Sequence, residues 1–205
     1  MVKNINDKNY LFFKMIQVIK GMFQKPIILF CLLILFSSNV SAPPLLYAIN
    51  SGSIIFRSDA PLELIKARST ELKGIFNAES KQFAFTLNVN TFKGFNSPLQ
   101  QEHFNENYLE SNKYPRASFE GKIIEDIDLK KNGIYNIRAK GNLTVHGITQ
   151  ERIIKCELSV KNNIVSIKSN FTVLLADHNI TIPKVVHEKL ASEIKVEVNA
   201  ELIDK

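Results

Sequence analysis

The chain has 205 residues, a length that predicts one domain or one domain plus a processing segment. Its 45% apolar and 22% charged residues exclude global disorder, and its 8 glycines and 7 prolines exclude collagen-like and proline-rich chains. Two cysteines are too few for a disulfide-stapled miniprotein or for a cysteine-based zinc module.

Residues 1–42 have the pattern of a secretory signal peptide. A basic stretch precedes an apolar run at 26–36, and Val40-Ser41-Ala42 ends the segment. A basic region, a short apolar region and a small-x-small end are typical of a cleaved leader. The apolar run alone is too short to cross a bilayer as a stable helix. An uncleaved signal anchor, extended through 43–49, stays the alternative.

The long basic stretch leaves the start residue open between Met1, Met15 and Met22. The net charge of +6 is concentrated in the same segment, because it holds five of the 26 basic residues and one of the 20 acidic residues. The rest, with 21 basic and 19 acidic residues, has no basic stripe, so we predict no nucleic-acid partner. The leader predicts an exported protein. Cleavage would leave Cys156 as the single thiol, so no intramolecular disulfide can form.

Alternation of apolar with polar residues predicts eight β-strands downstream. In the third of them, Phe83, Phe85, Leu87 and Val89 alternate with smaller or polar residues. A strand with one buried and one solvated face is typical of antiparallel sheets. The predicted strands cover 52–58, 66–76, 83–89, 116–124, 135–145, 154–160, 165–173 and 194–202.

Tight turns at 147–148 and 162–163 join long consecutive strands, which favours an up-and-down barrel. We therefore predict an all-β protein, in which residues 43–205 form one extended eight-stranded antiparallel β-barrel.

One segment, 97–112, departs from the alternation. Ser97 can cap a helix, Pro98 suits a first helical turn, and Phe104 and Tyr108 share one helical face. The segment predicts one short helix inserted between strands 3 and 4.

Motifs for catalysis or for cofactor binding are not visible. There is no phosphate-binding glycine loop and no nucleophile elbow. No two of the four histidines lie within four residues of each other, so they form no local zinc motif. We predict a protein that is not an enzyme and that has no cofactor and no metal. A rival hypothesis, an enzyme acting on a lipid tail, would start from His103 or His178.

An eight-stranded barrel can be filled by its own side chains or can hold one small ligand. Small and aromatic residues are mixed on the predicted inner faces, which favours a channel-shaped apolar void; the small ones are Ala139, Gly141, Cys156, Ser169 and Ala200. Such a void suits an elongated apolar ligand, since each buried CH₂ contributes about 0.8 kcal/mol. The alternative is a fully packed barrel without a ligand, an envelope stress-related structural or interaction module.

The predicted ligand-binding residues follow from these inner faces and from the inserted helix. Residues expected to line the lumen are Phe83, Phe85, Leu87, Phe119, Tyr135, Leu143 and Val145. Residues expected to cover or flank one end are Phe92, Phe95, Phe104 and Tyr108, with His103 and Asn107 near a head group.

Two stretches carry a family resemblance. Gly94-Phe95-Asn96 leads through His103-Phe104 into KYPRASFEG at 113–121, and GNLTVHGIT occupies 141–149. The first resembles the helix and KYP-x-x-x-F strand entry of the YceI-like family, the lipocalin-like polyisoprenoid-binding proteins of bacteria. The second resembles that family's G-x-L-T-x-x-G-x-T hairpin. Ser58-Asp59-Ala60-Pro61 and Gly74 add a weaker likeness.

The resemblance covers 51–205 and implies an exported barrel with a hydrophobic lumen, a periplasmic or secreted protein of the bacterial envelope. It implies a non-enzymatic carrier of an amphiphilic lipid, an isoprenoid or another long-chain lipid, with a polyisoprenoid as the expected ligand. It offers no catalytic residues to carry over. Segments 61–70 and 177–192 depart from the family pattern and could alter the lumen mouth. The head group and the oligomeric state stay open, a homodimer included.

Overall fold

The computed structural model describes residues 10–18, 20 and 45–205. The chain divides into two compact units, 1–43 and 44–205. In the first unit, residues 10–18 are helical, while the predicted apolar run and cleavage site of the leader lie outside the described residues. No described helix combines the length and the apolar character needed to cross a bilayer.

The second unit is built from nine strand segments that all pair antiparallel within 45–205. Two short helical stretches interrupt the meander, an α-helix followed directly by a π-helical turn. The strands are β1 (Leu46–Asp59), β2 (Leu64–Ser69), β3 (Lys73–Asn77), β4 (Gln82–Asn88), β5 (Arg116–Ile123), β6 (Gly133–Val145), β7 (Ile148–Lys161), β8 (Ile164–Leu174) and β9 (Glu193–Asp204). The α-helix α1 is Pro98–His103, the π-helical turn is Phe104–Tyr108, and 3₁₀ turns occur at Val89–Thr91, Leu175–His178 and Lys184–Val186.

The sheet closes because β1 pairs with β9 on one side and with β2 and β3 on the other. Since β2 and β3 share one side of β1 in succession, the nine segments occupy eight positions. This confirms the predicted closed eight-stranded antiparallel barrel. The single predicted strand 66–76 is instead two strands. The chain leaves the ladder after Ser69, whose buried hydroxyl accepts from the Glu71 amide at 3.2 Å and bonds the Thr91 hydroxyl at 2.7 Å.

A β-bulge in β1 changes which residues face the barrel interior. The register with β9 shifts between Ile49 and Ser51, so Asn50 has no partner of its own. Inward positions therefore change from odd to even numbers along β1, from buried Tyr47 to Ile54 and Phe56.

The inserted helix is shorter than predicted. Ser97 caps α1 as expected, since its hydroxyl accepts from the Gln100 amide at 3.2 Å. After His103 the backbone widens, and the Leu109 amide donates five residues back to the Phe104 carbonyl at 2.9 Å.

The two ends of the barrel differ, and we call them the floor and the mouth. The floor carries the loops 78–81, 124–132 and 162–163, and its fully buried residues include Val165 and Leu202. The mouth carries the loops 60–63, 89–115, 146–147 and 175–192. Among the described residues, all strand pairing and all three buried apolar clusters lie within 45–205, so unit 44–205 has what a domain needs to fold alone.

Candidate ligand cavity

The barrel encloses a cavity of about 540 Å³ that reaches the mouth. In the described chain no residue of the floor loops lines it, and Tyr47, Val165 and Leu202 are buried at that end, so the floor closes the cavity. Its inner part is lined by Phe76, Phe83, Ile123, Leu158 and Ala200, which belong to the largest buried cluster. The volume lies in the range of ligand pockets, roughly 300–1,000 Å³. The barrel is therefore not filled by its own side chains, contrary to the packed-barrel alternative.

Small inward residues leave this space open. Ala139, Cys156, Ser169 and Ala200 all line the cavity, as predicted. Gly141 does not line it, because its Cα lies against Gly121 on the paired strand. A Cβ at Gly141 would lie 2.2 Å from the Glu120 carbonyl oxygen, so this glycine permits close strand contact instead of widening the lumen.

Four phenylalanines form an aromatic cluster in the part of the cavity nearest the mouth. Phe104 stacks on Phe56 with ring centroids 5.1 Å apart, and Phe95 lies 5.1 Å from Phe104. Phe92 meets Phe56 edge-on at 5.1 Å. The cluster joins β1 to segment 89–115, which spans the mouth from β4 to β2, where Lys93 pairs with Arg68. We call 89–115 the crossing segment, and its π-helical turn carries part of the cavity wall.

Deep in the cavity the polar groups are neutral and satisfied. The Ser169 hydroxyl donates to the Lys155 carbonyl at 2.8 Å. Burial raises the pKa of the Cys156 thiol, and a hydrogen bond with Ser169 opposes that shift only in part. The thiol is therefore protonated at neutral pH, which keeps this region of the wall uncharged.

The charged side chains that line the cavity all belong to mouth segments of the described chain. Glu63, His103 and Lys189 line it there, beside Ser97 and Gln100. The Gln100 side-chain amide donates to the Glu63 carboxylate at 2.8 Å. A ligand seated in this cavity would have an apolar environment along its length and hydrogen-bonding groups at one end only.

A polar network at the mouth ties the crossing segment to the β6–β7 hairpin. His146 Nε2 lies 2.6 Å from the Glu110 carboxylate, and its Nδ1 lies 3.0 Å from the His178 carbonyl oxygen. Both ring nitrogens thus face oxygen atoms. The Tyr114 ring packs edge-on against His146 at 4.7 Å.

The structure places eleven of the twelve predicted ligand-binding residues in the cavity wall. They are Phe83, Phe85, Leu87, Phe92, Phe95, His103, Phe104, Tyr108, Phe119, Leu143 and Val145. Their part in binding stays a prediction.

Tyr135 is the exception, since it does not line the cavity and packs near the floor instead. Its hydroxyl donates towards the carbonyls of Asp128 and Lys131, at 3.3 and 3.0 Å, so its polar end is held by the 124–132 loop. Asn107, named for a head group, is exposed and also lies outside the wall.

Other lining residues escaped the sequence analysis. Ile54 and Phe56 lie beyond the bulge in β1. A period of two counted from inward Tyr47 without the bulge would place both of them on the outer face. Their local alternation with Ser53 and Arg57 is the signal that could have found them. Lys189 and Leu190 come from an irregular segment whose sequence has no period to follow.

Within the described residues, no three His, Cys, Asp or Glu side chains are placed together to hold a metal ion. The site is thus defined by its apolar cavity.

A closed antiparallel barrel with an internal apolar cavity belongs to the lipocalin-like class of β-barrels. The YceI-like domain family matches residues 57–202, and the chain belongs to this family. This confirms the resemblance drawn from the sequence. No curated protein sequence matches the chain.

Solved structures show the same fold at low sequence identity. A polyisoprenoid binding domain from Saccharophagus degradans superposes with a TM-score of 0.67 at 12% identity, covering 78% of this chain and 99% of its own. Burkholderia cenocepacia BcnA superposes with a TM-score of 0.60 at 12% identity, covering 73% of this chain and 95% of its own.

Proposed function

We propose that this protein is a non-enzymatic carrier that holds an amphiphilic lipid, with a polyisoprenoid as the expected ligand. The observation that carries the proposal is the apolar cavity of about 540 Å³ that is open at one end only. The chemistry of its wall suits a hydrocarbon tail inside and a polar head group at the mouth.

The energetics favour a long tail. Each buried CH₂ contributes about 0.8 kcal/mol before the costs of ordering the ligand. The inner wall offers no charge that would have to be desolvated, whereas Glu63, His103 and Lys189 stand at the mouth. Affinity would therefore come mainly from the tail, and the head group would meet the polar residues.

The isoprenoid assignment is supported by the family resemblance and by one solved structure with the same fold. The Saccharophagus degradans domain is described as polyisoprenoid binding, and this chain shares its fold. Export is a further part of the proposal. It rests on the pattern of residues 1–42, which we interpret as a cleaved signal peptide, with a membrane anchor as the alternative.

The direct test is to purify unit 44–205 natively, extract it with organic solvent and identify the extract by mass spectrometry. We expect a prenyl-chain lipid. The extracted protein should then bind polyprenols in preference to saturated fatty alcohols. Recovery of no lipid, together with no binding of either series, would refute the carrier function. Binding of fatty alcohols alone would refute the isoprenoid assignment.

Cys156 provides a second test, because its thiol lines the cavity and only the thiolate is alkylated. Since burial raises the pKa of Cys156, its labelling rate should keep rising at pH values where a free cysteine has levelled off. A bound polyprenol should slow labelling by roughly tenfold or more. The double variant Cys156→Ser/Ser159→Cys, with the thiol on the other face of β7, is the control and should show no protection. Equal labelling with and without ligand would place the ligand elsewhere.

A further inference from the structure

The mouth carries exposed apolar side chains that the cavity wall does not account for. Val185 is 89% exposed, Leu62 66%, Leu99 57% and Leu64 52%. We call these four residues the rim. They come from three separate segments, namely the loop 60–63 with the first residue of β2, helix α1, and the 3₁₀ turn Lys184–Val186.

Hydrogen bonds hold these segments together. The Leu62 amide donates to the Glu188 carbonyl at 2.9 Å, which joins the first segment to the third. The Gln100–Glu63 hydrogen bond joins the helix to the first segment. The rim is therefore a defined surface formed by three connected loops.

The cavity opens within this surface. Leu99 is both a rim residue and a lining residue, and Val186, next to Val185, also lines the cavity. Apolar surface thus continues from the lumen to the outside of the mouth. Exposed apolar groups of this kind mark sites of contact with membranes or with proteins.

We propose that the rim docks the mouth onto a lipid bilayer, so that a lipid enters the cavity without crossing water. This inference rests on the proposed carrier function. The rim consists of single side chains around an opening, which suits insertion between lipids. A protein partner or a second copy seated there would close the entrance.

The charges on the rim segments indicate that insertion, not attraction to anionic lipids, drives docking. Lys184 and Lys189 are balanced by Glu63, Glu102 and Glu188, which leaves these segments close to neutral. Docking through four partly inserted side chains is weak and reversible, as a carrier that leaves the membrane again requires.

The test measures flotation of unit 44–205 with phosphatidylcholine vesicles at low and at high salt. We expect binding at both salt concentrations. The variant Leu62→Ser/Leu64→Ser/Val185→Ser, whose three positions lie outside the cavity wall, should bind at least about tenfold more weakly. The matched control, Ile134→Ser/Ile153→Ser, removes two similarly exposed apolar side chains from strands β6 and β7 and should bind like the parent.

A fluorescence measurement gives an independent readout, because the chain has no tryptophan. In Val185→Trp the single indole should shift its emission to shorter wavelength on addition of vesicles. In Ile134→Trp the emission should stay unchanged. Equal shifts in both variants, or none in Val185→Trp, would overturn the docking proposal.

Failure of docking can be told apart from failure of the carrier function. The rim variant should still bind a polyprenol supplied from detergent, since its cavity wall keeps Leu87, Phe104 and the other inner residues. If the parent binds polyprenol from detergent but no vesicles, docking is wrong and the carrier function stands. If the parent binds neither, both are wrong. A parent that is dimeric by light scattering and a rim variant that is monomeric would show a contact between copies and overturn membrane docking.

Discussion

The floor and the mouth of the barrel contain similar apolar residues, but these are buried at the floor and partly exposed at the mouth. At the floor, Val165 and Leu202 are fully buried and belong to the largest cluster. At the mouth, Leu62 and Val185 are mostly exposed, and charged groups stand beside the opening. The hydrophobic effect therefore stabilises the fold at one end, while the same kind of side chain stays available for ligands and surfaces at the other.

This difference predicts that stability and binding can be changed separately. Substitutions at the floor should lower the free energy of unfolding and leave the affinity for a lipid nearly unchanged. Substitutions in the cavity wall should lower the affinity for a lipid and change the free energy of unfolding less. Substitutions at the mouth should change the rate at which the lipid enters and leaves.

The largest effect on stability is expected for Leu202→Ala, which empties a fully buried site outside the cavity wall. Its free energy of unfolding should fall by about 2–5 kcal/mol in urea denaturation. The comparison variant Leu99→Ala, at an exposed mouth position, should change it by less than about 0.5 kcal/mol. Equal losses in the two variants would remove the distinction between floor and mouth.

A wall substitution should lower affinity with a smaller change in stability. Ala139→Leu places a larger side chain in the cavity, so polyprenol binding should weaken by roughly tenfold or more. Titration of the delipidated protein measures this change. Ala48→Leu is the control, because Ala48 follows inward Tyr47 in β1 and points away from the lumen. Unchanged polyprenol affinity in Ala139→Leu would show that the ligand does not use this part of the wall.

The smallest effect is expected at the polar network of the mouth. Glu110→Ala removes the carboxylate bonded to His146 and should lower the free energy of unfolding by about 1 kcal/mol. It should also speed ligand exchange in stopped-flow measurements, because the crossing segment loses its hydrogen bond to the β6–β7 hairpin and keeps only the packing of Tyr114 on His146 there. Glu110→Gln keeps a hydrogen-bonding group and should stay near the parent. Exchange as slow in Glu110→Ala as in the parent would show that this contact does not control the entrance.

Much of the fold was predictable because alternation reports directly which strand face is buried. The inner faces of β4, β6, β7, β8 and β9 follow from a period of two, and so do most of the predicted lining residues. Alternation does not report depth along the barrel axis, which is why Tyr135 was assigned to the lumen when it lies near the floor.

The remaining features depend on contacts between distant segments. The bulge at Asn50 is defined only by the pairing of β1 with β9, and the break after Ser69 depends on a hydrogen bond to Thr91. The rim could not be predicted either, since nothing local distinguishes Val185, which is exposed, from a neighbour such as Val186, which lines the cavity.

Because the floor is closed, a ligand can enter and leave the cavity only at the mouth. A lipid carried as we propose would enter tail first and leave tail last, so its head group would face the outside. Because each further methylene withdrawn into water costs about 0.8 kcal/mol, escape would slow about fourfold per carbon. In a cavity with one opening, the residence time of the lipid would therefore increase with the length of its chain. An apolar acceptor at the mouth would speed release, because the chain would not have to pass through water.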